Sequence, residues 1–68
     1  MSGYYVEDTC GADTWREGPF GTFGEAKARA WAIRDGLTRA DRRDRSIAVG
    51  TLTDEDILDP IIDVMEED

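Results

Sequence analysis

Sixty-eight residues with a formal net charge of −8 make one small acidic domain, near the size at which a single core becomes marginal without staples. Cys10 is the single cysteine, which excludes an internal disulfide, and with no histidine the chain has neither the usual general base nor enough ligands for zinc. It also has no secretory h-region and no apolar run long enough to span a bilayer, so the expected compartment is the cytoplasm, the host's if the chain is phage-encoded.

The charge is unevenly placed. Residues 1–20 carry a net −3, residues 21–46 a net +3, and residues 47–68 hold eight acids and no base. Such a surface repels phosphate, which argues against direct contact with nucleic acid or an anionic membrane and for a basic protein partner. Lys27 stands alone beside seven arginines, a bias that also fits a GC-rich or halophilic source whose acids serve solvation only.

Residues 4–17 read as a hairpin. Tyr4, Tyr5 and Val6 favour strand, as do Thr14, Trp15 and Arg16, and Cys10-Gly11-Ala12-Asp13 between them is turn chemistry. Alternation makes Tyr4, Val6 and Trp15 the inward set. Cys10 is expected in the turn with no cationic neighbour to activate it. Gly18-Pro19 is expected to end the second strand, and Phe20 to fold back on the first turn of a helix.

Residues 22–36 carry the clearest signal. Thr22 and Glu25 have the spacing of a capping box, and Gly36 supplies the usual left-handed stop. Phe23, Ala26, Ala30, Ile33 and Leu37 recur every three or four residues as one narrow apolar stripe, and Glu25 is spaced to pair with Arg29 outside it. Trp31 lies off the stripe, so it needs a lid from Ile61, Ile62 or Met65, or else a partner. The stretch GPFGTFGEAKARA resembles the G-P-F-x-(S/T)-x-x-E-A strand-to-helix step of SPOR-type peptidoglycan-binding domains. Those domains join two such half-units and belong to envelope proteins, whereas one half-unit stands here. The resemblance therefore implies a local step, in which Gly-Pro turns the chain, Phe plugs and Thr-x-x-Glu caps.

Residues 38–45, TRADRRDR, lack apolar periodicity and read as a solvated connection whose arginines are diluted by Asp41 and Asp44. Residues 46–52, SIAVGTL, are the most strand-like run, with Ile47, Ala48 and Val49 suited to burial on both faces. A right-handed crossover through the helix lays this strand beside the first and parallel to the second, giving the order second, first, third.

Residues 53–68, TDEDILDPIIDVMEED, fit a helical period better than alternation. On a helix Asp56, Asp59, Asp63, Glu66 and Glu67 fall within about 100° of arc, opposite Ile57, Leu58, Ile61, Ile62, Val64 and Met65. Pro60 would break a helix interior. Two short helices are therefore expected, one capped by Thr53 and one by Asp59 with Pro60 as its first residue. The expected fold is α+β in the order ββαβα: a small three-stranded, mainly antiparallel sheet, one main helix on one face, and a short acidic C-terminal helical segment.

No activated nucleophile, Gly-rich phosphate loop or complete EF-hand loop is present, so no catalytic residue, metal or cofactor is assigned and a non-enzymatic protein is expected. Carboxylates at helical spacing stand about 5–6 Å apart, close to the phosphate spacing of a nucleic-acid strand. Asp56, Asp59, Asp63, Glu66 and Glu67 are thus the candidate partner-binding row, with Trp31 as a further contact. In physical profile the chain is similar to the small acidic nucleic-acid mimics of phages and mobile elements, anti-CRISPR proteins among them. That resemblance implies an inhibitor presenting the row to the basic surface of a nucleic-acid-binding protein such as a CRISPR effector. Two alternatives stand beside it: an interaction module, homodimeric through its sheet edge or Trp31 face, and a housekeeping domain of a halophilic or GC-rich source.

Overall fold

The computed structural model describes residues 3–66, in the order β1 (Tyr4–Cys10), β2 (Asp13–Phe20), α1 (Phe23–Asp35), β3 (Arg45–Leu52) and β4 (Leu58–Asp63). The strands form one four-stranded sheet in the order β2-β1-β3-β4, with every neighbouring pair antiparallel. The first three strands take the expected second-first-third order. The fourth replaces the expected C-terminal helical segment, so the three-stranded ββαβα fold is corrected to a four-stranded sheet carrying one helix.

The register separates two faces. Asp8 lies opposite Trp15 and Ile47, and Val6 opposite Glu17 and Val49; paired residues point the same way, so these share the face that α1 covers. The core there is Val6, Ala26, Ala30, Ile47, Val49 and Val64, all essentially sealed from solvent. Ala26 and Ala30 give the helix a short-side-chain stripe against which the branched strand residues pack, while Phe23, Ile33 and Leu37 of the same stripe are half-buried at its ends. Tyr4 meets Phe23 edge-on, ring centroids 5.8 Å apart. Trp15 is on this face, as alternation predicts, but it is 52% exposed because α1 leaves that part of β2 uncovered.

The helix signals hold in their main parts. Thr22 caps α1, its Oγ1 accepting from the Glu25 amide at 3.1 Å and donating to Glu25 Oε1 at 3.3 Å. Gly36 closes the helix with φ −81°, in the right-handed region, so the expected left-handed stop is not used. Its amide bonds back to Ala32 and Ile33. With Glu25 engaged at the cap, Arg29 pairs with Glu17 of β2 and not with Glu25.

Two expectations for the hairpin are also corrected. Cys10 is the last residue of β1, opposite Arg45 of β3, and the turn is Gly11-Ala12. β2 does not stop at Gly18-Pro19 but continues to Phe20. It does so across a register shift where Gly18, at φ 136°, lies so close to Tyr5 that a Cβ would stand 2.7 Å from the ring.

The C-terminal third forms a strand because β3 offers it a partner. A buried strand such as Ile47–Val49 exposes unpaired backbone groups along any open edge, and β4 pairs with residues from Ala48 to Leu52. The mixed faces that made this segment look helical come from an irregularity between Val49 and Gly50, which shifts the register so that Asp59 faces Thr51 while Asp63 faces Ala48. Thr53 does cap, but it caps a turn: its Oγ1 accepts from the amides of Glu55 and Ile57, each at 3.3 Å. Pro60 is tolerated because β4 is an edge strand, one of the few places in a sheet where a missing amide hydrogen is harmless.

Candidate functional site

The carboxylates of the sheet differ in their partners. Three on β1 and β2 are matched by arginines, whereas Asp13 at the start of β2 is exposed and has no partner among the described residues. Glu7 accepts from Arg16 at 3.0 Å, Asp8 from Arg45 at 3.2 Å, and Glu17 holds Arg29 through two contacts of 2.8 and 3.1 Å. The fork-to-fork geometry of this last pair lowers the Glu17 pKa below the ordinary carboxylate value, chiefly through the hydrogen bond and then through the nearby positive charge.

Those on the β3–β4 hairpin are mostly unmatched. Asp54, Glu55, Asp59 and Glu66 are exposed, and their carboxylates make no hydrogen bond or ion pair among the described residues. Asp56, at φ 62°, is the exception in the loop. Its Oδ1 lies 3.6 Å from Arg16 Nη1 and its carbonyl accepts from Arg16 Nη2 at 3.4 Å. Arg16 thereby ties the β3–β4 loop to the far edge strand across the face that α1 leaves open. Tyr5 lies on that face and is nevertheless buried.

Asp63, expected in the partner-binding row, is internal structure. Its Oδ2 accepts from Ser46 Oγ at 2.6 Å, and its Oδ1 from the amides of Ile47 at 3.3 Å and Met65 at 2.9 Å. The row of Asp56, Asp59, Asp63 and Glu66 therefore does not exist as a row. Asp59 and Asp63 lie on opposite faces of β4, Asp56 is in the loop, and Glu66 follows the strand. Glu67 lies outside the described residues.

Trp31 is not left open for a partner either. It is half-buried, joins Ile62 and Met65 among the apolar residues packed on the core, and carries the Arg34 guanidinium 4.6 Å above its ring.

Sequence reasoning missed the exposed apolar side chains. Trp15, Ile57 and Ile61 are the large hydrophobic residues standing more than half exposed among the described residues, and Ile57 and Ile61 belong to the acidic hairpin. Ile61 lines a shallow depression of about 410 Å³ with Ala48, Pro60, Ile62 and Glu66. A second depression, of about 360 Å³, lies between β2 and α1 beside Trp15, Val6 and Ile33, and is lined by the paired charges Glu17 and Arg29. The signal for the first was available: Thr-Asp-Glu-Asp is turn chemistry between two aliphatic runs, which is how a hairpin loop reads.

Among the described residues no cluster of three or more acidic, cysteine or histidine side chains is arranged to hold a metal ion, and no helix is long and apolar enough to cross a membrane. Compared with protein-family models, curated proteins and solved structures, the chain matches none.

Proposed function

We propose that this chain is a non-enzymatic acidic binding protein that occupies the basic surface of a nucleic-acid-binding protein, of which a CRISPR effector is one example, and so inhibits it. The supporting observation is that most acids of the β3–β4 hairpin stand unpaired among the described residues, in a stretch, residues 47–66, that holds no base. Internal arginines neutralise Glu7, Asp8 and Glu17, whereas Asp54, Glu55, Asp59 and Glu66 are left to external cations. The attraction comes from the summed field of the hairpin, not from a phosphate-like spacing, since the acids are no longer in helical register. The test is a gel-shift competition in which the protein displaces duplex DNA from a basic DNA-binding protein. The combined substitution Asp54→Asn, Glu55→Gln, Asp59→Asn and Glu66→Gln should abolish displacement, and undiminished displacement by that variant would refute the proposal.

A second reading is a homodimeric module. The exposed Trp15 favours it, because a large aromatic at an uncovered sheet end is a common interface anchor. Edge-to-edge pairing is disfavoured, as both edge strands carry a proline, Pro19 in β2 and Pro60 in β4, and β4 also carries like charges. Sedimentation of the wild type and of Trp15→Ser separates this reading from the first.

A further inference from the structure

The acidic hairpin also presents an apolar depression around Ile61. Ile61, 53% exposed, stands beside an exposed proline on an edge strand and, unlike the similarly exposed Ile57, lines the depression. The depression it lines is apolar along Ala48, Pro60, Ile61 and Ile62, and Glu66 stands at its rim with a carboxylate that has no partner among the described residues. Asp63 also borders it, but its oxygens are already taken by Ser46, Ile47 and Met65. From residue 47 to residue 66 there is no basic side chain, so an occupant finds apolar contact and negative potential together.

We infer that this groove docks a basic, amphipathic peptide segment, with an aliphatic side chain of the segment seated against Ile61 and Pro60 and a flanking lysine or arginine facing Glu66. The inference rests on the proposed function and specifies what the partner presents. Docking is through side chains. Strand addition along β4 would need a backbone amide at Pro60 and would place a further strand against a proline-interrupted edge. Apolar contact at the centre with charge at the margin is the usual anatomy of a specific interface, and it gives an affinity that salt weakens but does not abolish.

The experiment uses the full chain and two peptides of equal length and charge, one of lysine and leucine patterned as an amphipathic helix, the other of lysine and serine. Binding is followed by calorimetry at low and at raised salt. The lysine–leucine peptide should bind about tenfold more tightly, the order expected for partial burial of one or two aliphatic side chains. Its advantage should survive raised salt. Ile61→Ser should remove the advantage without altering lysine–serine binding, and Glu66→Gln should weaken both peptides. Ile57→Ser, in the same hairpin but not lining the groove, should leave the advantage in place. Equal binding of the two peptides, or an advantage that persists in Ile61→Ser, would overturn the inference while leaving the charge-based reading standing. Failure of both peptides to bind would overturn both.

Discussion

Ser46 Oγ donates to Asp63 Oδ2 at 2.6 Å, which joins the start of β3 to the end of β4 and turns an acid of the acidic third into a structural residue. The same carboxylate also accepts from two backbone amides, so removing it leaves three donors in a partly buried place. Asp63→Ala should lower unfolding free energy by about 2 kcal/mol, since hydrogen bonds to a charged group contribute about 1.5–3 kcal/mol. Asp59→Asn, at an exposed site with no partner among the described residues, should stay within about 0.5 kcal/mol. Urea denaturation measures both.

Gly50 should be irreplaceable. It is buried opposite Pro60, and a Cβ there would run into the carbonyl oxygen of Asp59 and stand 2.8 Å from Pro60 Cα. Backbone cannot yield as a flexible side chain does, so Gly50→Ala should cost several kcal/mol, toward the upper end of overpacking effects of about 1–3 kcal/mol or beyond. Gly24→Ala is the control: it lies in α1, its nearest neighbour would be Thr22 Oγ1 at 3.9 Å, and alanine is the better helix former. Thermal unfolding should show the first variant strongly lowered and the second unchanged or raised.

The Glu17–Arg29 pair should give a small, pH-dependent contribution. Because Arg29 holds the folded-state pKa of Glu17 below its ordinary value of 4.5, the folded chain takes up that proton less readily than the unfolded chain. The stabilisation is therefore complete above about pH 4.5 and is lost as the pH falls through the lower, folded-state pKa. Glu17→Gln should be slightly less stable than wild type at neutral pH, with the difference closing below pH 4.5. Both side chains are nearly half exposed, so added salt should shrink the difference as well.

The two tryptophans should be distinguishable by fluorescence. Trp15 is more than half exposed, whereas Trp31 is half-buried under Arg34. Trp15→Phe should leave blue-shifted emission that acrylamide quenches weakly, and Trp31→Phe should leave red-shifted emission that it quenches strongly. The reverse pattern would mean that α1 covers the β2 end of the sheet.

The helix was legible because its signals are local: a cap three residues long and a stripe on one face. The hairpin and the order of the first three strands were legible for similar reasons. What the sequence obscured depended on distant partners. Arg29 has a nearby acid in Glu25 but finds its ion pair twelve positions back at Glu17, because Glu25 is engaged by Thr22. Alternation predicts the face of Trp15 but not its exposure, which depends on how far α1 reaches. The acidic third reads as helical because the register shift at Gly50 breaks the alternation that marks a strand, and the surviving pattern matches a helical period. The available counter-signal was β3 itself: a run suited to burial on both faces leaves an open edge at the end of a three-stranded sheet, and that edge needed a neighbour.

Everything proposed for the hairpin depends on residues 58–63 being a strand paired with β3. The direct measurement is a set of nuclear Overhauser contacts in solution. The Thr53 amide bonds to the Ile57 carbonyl at 2.8 Å, so the next pair, Leu52 and Leu58, should bring their Cα protons together across the strands. A strong Leu52–Leu58 Cα-proton contact, with strand-like carbon shifts from Leu58 to Asp63, is the predicted result. Sequential amide–amide contacts from Ile61 to Glu66, with contacts from the Cα protons of residues 58–63 to the amide three residues on, would contradict it and restore the carboxylates to a helical face.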